Sequence, residues 1–138
     1  MKIFLDANIC LDLLDTTRPT SAASVRWYMT HKDDRSLTFL FSGDFITSFY
    51  YILTERKKIS ADKVVEAIDA LSMEVDPFYL SHTDFIEAKN SFQTKRFTDF
   101  EDLIILHSAV RAGCDRFITN DKALLQLQSY EALKIEAP

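Results

Sequence analysis

The stretch Thr98–Asp121, TDFEDLIILHSAVRAGCDRFITND, decides the fold because it contains a helix, the end of that helix and a following strand. The spacing of Thr98 and Glu101 predicts a capping box at the start of the helix. From Phe100 to Val110 the residues are apolar almost all round, which is typical of a buried helix. We expect Gly113 to end this helix as the residue after its C-cap.

Acidic side chains stand at both ends of this unit. Asp99 and Asp102 lie three residues apart in the first turn of the helix, on one face. The short apolar run after the helix predicts a strand that ends before Asp121. The apolar start of the chain predicts another strand, which ends before Asp6. Because ligand sites in open parallel sheets lie outside the carboxyl ends of the strands, we expect these four aspartates to share one cleft.

Four carboxylates in one cleft point to a bound cation. Like charges at short range raise each other's pKa unless a positive charge compensates them. Ligand sets that contain only oxygen suit Mg²⁺ or Mn²⁺ better than softer metals. The sequence therefore predicts a site for Mg²⁺ or Mn²⁺.

Two segments, FLDANICLDLL and DFEDLIILHSAVRAGCDRFITND, resemble the PIN domain, and more closely the VapC-type toxins. The resemblance covers nearly the whole chain and implies a Mg²⁺- or Mn²⁺-dependent ribonuclease, the toxin of a toxin–antitoxin pair. It implies that Asp6, Asp102 and Asp121 are metal ligands, and that Asp99 assists catalysis. It also implies an RNA substrate, an antitoxin protein as partner and a homodimer.

The main departure from the family pattern lies in the predicted helix Asp44–Lys57. The family usually has an acid where this chain has Ser48, which cannot supply a charged ligand but could hold a water molecule. Asp44 lies one turn earlier on the same face and could replace that acid. Its other interpretation is a favourable charge in a first helical turn.

Four further residues have two interpretations each. Asn8 and Thr119 flank the predicted site and could hydrogen-bond a carboxylate, or could only satisfy nearby backbone groups. Lys95 and Arg96 precede the acidic helix and could hold a phosphate backbone near the metal, or could form a solvated surface.

Strands that alternate with helices predict an α/β fold, a three-layer α/β/α sandwich with a central parallel sheet. At 138 residues we expect a single domain over 1–138. Besides the segments above, we predict strands at Leu37–Phe41 and Phe78–Leu80 and an edge strand at Lys134–Glu136. The other predicted helices are Ala7–Leu14, Thr20–Lys32, Ala61–Ser72, one from Ser81–Asp84 to Gln93, and one from Asp121 to Gln128.

Composition limits the expected mode of RNA binding and the expected cellular location. A net charge of −5 argues against RNA binding through a basic surface alone. No apolar run is long enough for a transmembrane helix and the start is a poor signal peptide, so we expect a cytoplasmic protein without a membrane partner. The aromatic segment Phe45–Tyr51 is broader than one sheet face can bury. It predicts a dimer or partner surface, with core packing as the alternative.

Two other functions remain as alternatives. One is a non-catalytic PIN-like module that binds RNA or protein, its metal site weakened at Ser48. The other is a phosphotransfer domain on a similar sheet. A phosphatase of that type needs a second Asp two residues after Asp6, where this chain has Asn8, and the acidic pair of a receiver domain is not found.

Overall fold

The computed structural model describes residues 1–94 and 99–138, which form a sheet with helices on both faces. Strands β1 to β6 are Lys2–Leu5, Thr38–Ser42, Asp76–Phe78, Arg116–Ile118, Ser129–Tyr130 and Leu133–Glu136. Helices α1 to α7 are Ala7–Leu14, Ser21–His31, Ile46–Tyr51, Ala61–Glu74, His82–Gln93, Phe100–Arg111 and Lys122–Leu127. The predicted α/β/α architecture is confirmed.

The strand order, β3-β2-β1-β4-β6-β5, places the first strand of the chain in the middle of the sheet. β1 pairs in parallel with β2 on one side and with β4 on the other, so that Leu5 lies between Phe41 and Ile118. The chain builds one half of the sheet and then returns to build the other half. Such a reversal of strand order opens a crevice at the carboxyl ends of the two central strands.

Both faces of the sheet are buried, which explains the continuous apolar runs of β1 and β2. Ile3 and Leu5 point into a core formed with helices α1 to α4. Phe4 points into the opposite core, formed with α5 to α7, where its ring stacks on Phe117 at a centroid distance of 5.5 Å. Two cores hold β1 in place, and they therefore also fix the position of Asp6, which follows it.

Helix α6 ends as predicted, with Gly113 at a φ of 78°. The N–H of Cys114 donates to the carbonyl of Ala109, and the N–H of Gly113 donates to that of Val110, which is a Schellman ending. The predicted capping box is wrong at its first residue. Asp99 is the N-cap, and its carboxylate accepts from the backbone N–H of Asp102 at 3.2 Å, while Thr98 lies outside the described residues.

The predicted helix Asp44–Lys57 divides into three segments. A 3-10 turn, Gly43–Phe45, leads into α3, which continues as a π-helical turn, Ile52–Arg56. The N–H of Lys57 closes this π turn on the carbonyl of Ile52, and the Lys57 ammonium lies 3.6 Å from the buried carboxylate of Asp15.

The sheet edges differ from the prediction. β3 begins at Asp76, before the predicted Phe78–Leu80. β6 is not an edge strand, because it lies between β4 and the two-residue β5, which pairs with it antiparallel. Among the described residues, no helix is both long and apolar enough to span a bilayer.

Candidate active site

Asp6 leaves β1 at the crevice between the two central strands. Its backbone N–H donates to the carbonyl of Ile118 at 2.9 Å, which fixes the end of β1 against the end of β4. Its Oδ1 accepts from the N–H of Ala7 at 2.8 Å, so Asp6 is also the N-cap of α1. Its Oδ2 accepts from the hydroxyl of Thr119 at 2.7 Å.

Thr119 joins the two strand ends. Its hydroxyl donates to Asp6 and accepts the backbone N–H of Asp121 at 3.0 Å, and the residue is fully buried. Asp121 in turn caps α7, where its Oδ1 accepts from the N–H groups of Ala123 and Leu124 at 2.9 and 3.1 Å. Because both capping bonds fall on Oδ1, the cap does not use Oδ2.

Asp102 faces these two aspartates from the first turn of α6. Its pKa is raised to about 7, first because its carboxyl group is partly buried and then because four other carboxylates repel its charged form. In order of effect, these are Asp99, Asp6, Asp121 and Glu101. Burial also raises the pKa of Asp6, against the lowering by its bonds to Thr119 and Ala7, and Asp121 adds to the rise. The aspartates therefore form one electrostatic unit.

These side chains surround one open cleft. Its acidic side is formed by Asp6, Glu101, Asp102 and Asp121, and its apolar side by the face of the segment that contains α3. The residues lining it are Asp6, Ala7, Asn8, Leu11, Phe45, Ser48, Phe49, Ile52, Glu101, Asp102 and Asp121.

The donor set of the cleft fits a hard divalent cation. It consists of carboxylates with nearby amide and hydroxyl oxygens. Burial is the first cause of the raised pKa of Asp102 and repulsion by four neighbouring carboxylates the second, and a cation would offset that repulsion. Within residues 1–94 and 99–138, however, no three His, Cys, Asp or Glu side chains already form a group that could hold an ion. The carboxylates share the cleft without closing around one point, and their roles as ligands stay predictions.

The structure distinguishes which of the residues with two interpretations lie at the cleft. Ser48 and Asn8 line the cleft, and Thr119 bonds an acidic side chain from behind it. Asp44 does not line the cleft. Its Oδ2 accepts from the backbone N–H of Leu80 at 2.8 Å and lies 3.4 Å from the Ser42 hydroxyl, so it joins the end of β2 to the segment before α5.

Asp99 lies outside the cleft but influences its charge. Asp99 is exposed and does not line the cleft, but its carboxylate has the largest effect of any neighbouring charge on the pKa of Asp102. Lys95 and Arg96 lie outside the described residues.

Sequence reasoning missed two acids. Glu101, predicted only as the partner of Thr98 in a capping box, also lines the cleft, which spans more than one face of the first turn of α6. Asp12 is a fully buried residue of α1. It accepts from Arg18, Thr20 and Ser24, and the amide of Asn120 lies 3.4 Å from it. An acid inside the apolar stretch ICLDLL was the signal for this network.

Comparisons with known proteins agree with this geometry. A family model described as PIN domain matches residues 2–123. The chain is 31% identical over 128 residues to Ribonuclease VapC1 of Aquifex aeolicus (strain VF5), an alignment that covers 88% of this chain and 83% of that protein. The resemblance inferred from the two motifs is confirmed.

Solved structures share the fold at low identity. The VapBC2 complex of Rickettsia felis, bound to a DNA fragment from its promoter, matches with a TM-score of 0.72 and 15% identity over 99% of this chain and 98% of that one. VapC20 of Mycobacterium tuberculosis, a toxin that cleaves the sarcin–ricin loop, matches with a TM-score of 0.70 and 16% identity over 94% and 97%. VapBC-1 of nontypeable Haemophilus influenzae matches with a TM-score of 0.64 and 20% identity over 99% and 98%.

Proposed function

Because this chain belongs to the PIN-domain family, we propose that it is a metal-dependent endoribonuclease and the toxin of a toxin–antitoxin pair. The observation that carries the proposal is the cleft where Asp6, Asp102 and Asp121 meet at the switch point of the sheet. The relationship to Ribonuclease VapC1 supports the substrate class. The VapBC complexes with the same fold support an antitoxin partner.

We propose Asp6, Asp102 and Asp121 as the ligands of Mg²⁺ or Mn²⁺, with Asp99 and Glu101 as nearby carboxylates. When bound, such a cation activates water and offsets the negative charge that develops on phosphate. Asp6 is held for this role from two sides, by the N–H of Ala7 and the hydroxyl of Thr119. Such outer contacts fix the orientation of a ligating carboxylate.

The reaction is hydrolysis of an RNA phosphodiester. The water gives up a proton as its oxygen attacks phosphorus, the bond from phosphorus to the leaving ribose oxygen breaks, and that leaving oxygen takes up a proton. The carboxylates position the attacking water in line with the leaving oxygen. The apolar side of the cleft, formed by Phe45, Phe49 and Ile52, keeps bulk water from that side.

Cleavage of a structured RNA by the purified protein tests the proposal, with and without EDTA. We expect wild type to cleave with Mg²⁺ or Mn²⁺ and to stop with EDTA, and Asp6→Asn and Asp102→Asn to abolish cleavage. Asp69→Asn, at an exposed site on α4, removes the same charge away from the cleft and should cleave as wild type. Cleavage by Asp6→Asn at the wild-type rate would disprove the metal mechanism.

A non-catalytic binding module is the second candidate function, and two observations favour it. Ser48 stands in the cleft where the family usually has an acid, and the described acids do not form a ready group for an ion. This candidate predicts RNA binding without cleavage at any metal concentration. The assay above therefore separates the two functions directly.

We further propose that the protein acts in the cytoplasm as a homodimer or bound to its antitoxin. Tyr50 and Tyr51 support an interface, because their side chains are 41% and 56% exposed on α3. The other two rings of the segment turn inward, with Phe49 buried and Phe45 stacked on it at 6.4 Å. The predicted surface is thus limited to the two tyrosines.

A further inference from the structure

One exposed face of α5 presents aromatic and basic side chains in a single row. His82, Phe85, Lys89 and Phe92 are three, four and three residues apart, a spacing that places them on one side of a helix. All four side chains are exposed, and the two phenylalanines keep 40% and 43% of their surface in solvent. We call these four residues the aromatic row.

Ring contacts connect the aromatic row to the start of α6. His82 stacks on Phe85 at 5.6 Å between centroids. Phe85 and Phe92 each meet Phe100 edge to face, at 5.7 and 5.4 Å. Phe100 is the residue directly before Glu101 and Asp102, so the row continues to the rim of the acidic cleft.

The cleft itself is poorly suited to gripping RNA by charge. Its polar side is acidic and the chain carries a net charge of −5, so that phosphates away from a bound cation are repelled. Stacking of bases on aromatic rings does not depend on attraction between opposite charges, and every base has a face that can stack. Lys89 lies between the two phenylalanines, where it can meet a phosphate between stacked bases.

We propose that the aromatic row is a stacking platform for single-stranded RNA that leads the strand into the acidic cleft. From His82 to Phe92 the row spans roughly 15 Å at the rise of an α-helix, which is enough for a short run of unpaired bases. The proposal rests on RNA being the substrate, as proposed above, and it adds where the strand outside the cleft is held. Paired bases hide their faces, so duplex RNA should bind this platform poorly.

Binding measured in EDTA tests the platform independently of cleavage. The probe is a fluorescently labelled single-stranded oligoribonucleotide, and the variants are Phe85→Leu and Phe92→Leu, which keep apolar volume but remove the ring. We expect each variant to raise the Kd about five- to 150-fold, the range found when a stacking ring is lost. Tyr79→Leu, which removes an exposed ring that belongs neither to the aromatic row nor to the tyrosine pair of α3, is the matched control and should bind as wild type.

A gain-of-signal variant keeps the test informative if the leucine variants fold poorly. Phe85→Trp should retain the wild-type Kd, and its tryptophan emission should change when RNA is added. The wild-type protein, whose one tryptophan is Trp27 on α2, gives the background. An unchanged Phe85→Trp emission at saturating RNA would overturn the proposal.

Two further results would overturn it while leaving the nuclease intact. The first is wild-type RNA affinity in folded Phe85→Leu and Phe92→Leu. The second is that these variants lose the dimer and that their RNA affinity depends only on whether the protein is dimeric. The row would then be a contact between two copies of the chain. Failure of metal-dependent cleavage would instead refute the proposed function, because the binding assay needs no cleavage.

Discussion

Thr119 Oγ1 lies 2.7 Å from Asp6 Oδ2, although the two residues are 113 positions apart in the chain. The same hydroxyl accepts the N–H of Asp121 at 3.0 Å. One buried side chain therefore sets the position of two proposed metal ligands.

Removal of this hydroxyl should weaken both the fold and the site. Thr119→Val keeps the shape but leaves the N–H of Asp121 and one oxygen of Asp6 without their partner. Because an unsatisfied buried polar group costs about 1–3 kcal/mol, we expect a loss of that order in the free energy of unfolding, measured with urea in EDTA. Thr119→Ser keeps the hydroxyl and should lose less. Equal stability of the valine and serine variants would show that the hydrogen bonds contribute little.

Ser48 should control metal affinity. Hard divalent cations bind more tightly as the number of charged ligands rises, so we expect wild type to need millimolar-range metal and to prefer Mn²⁺. Ser48→Glu places a carboxylate in the cleft and should lower the metal concentration for half-maximal cleavage. Ser48→Gln has nearly the same size without the charge and should not. If both variants behave alike, size rather than charge is responsible.

The buried carboxylate of Asp84 should make stability depend on acid pH. Burial raises its pKa. The hydrogen bonds from Arg111, the N–H of Ser81 and His107 together lower it by more than burial raises it, so the net shift is downward. A group with a lowered folded pKa stabilises the protein above its unfolded pKa, about 3.9 for Asp. That contribution is lost as the pH falls through the folded pKa.

Asp84→Asn measures this contribution by urea unfolding at several pH values. At pH 7 we expect the free energy of unfolding to fall by about 1.5–3 kcal/mol, the range for hydrogen bonds to charged groups. A larger loss is not expected, because Arg111 is 31% exposed and solvent weakens its attraction to Asp84. The difference between wild type and the variant should shrink below about pH 4, where the Asp84 carboxyl group of the unfolded chain begins to take up a proton. A difference that stays constant from pH 7 to pH 3 would contradict this account.

The tyrosines of α3 should support association. Replacing Tyr50 and Tyr51 by serine removes most of the exposed ring surface of that helix without touching its buried Phe49. We expect the double variant to run as a monomer at concentrations where wild type is a dimer, measured by light scattering after size exclusion. Met73→Ser, at a side chain 80% exposed on α4, is the control. Monomeric wild type at high concentration would refute the dimer.

Local patterns predicted the parts of the fold that depend on local physics. The apolar strands before Asp6 and Asp121 are buried on both faces, so their sequences contain few polar residues. Gly113 ends α6 because glycine readily adopts its positive φ. The sheet rule for parallel strands then places both aspartates at one crevice.

The errors have tertiary causes. The π turn before Lys57 lies where the Lys57 ammonium meets Asp15, a contact that local spacing does not show. β5 is two residues long, which is too short to leave a periodic pattern in the sequence. Asp44 was a candidate ligand because it lies one turn before Ser48. Its actual partner, the backbone N–H of Leu80, is 36 residues away and cannot be inferred from local spacing. Glu101 was missed because the width of the cleft depends on how α6 docks against the sheet.

The central position of β1 has a consequence for synthesis on the ribosome. Asp6 is made well before its partner Thr119, which is translated 113 positions later. At 5–20 residues per second, the two are separated by roughly 6–23 s. A nascent chain therefore cannot complete the acidic cleft until β4 has been made, and before that point a nuclease of this topology cannot attack the messenger or ribosomal RNA beside it.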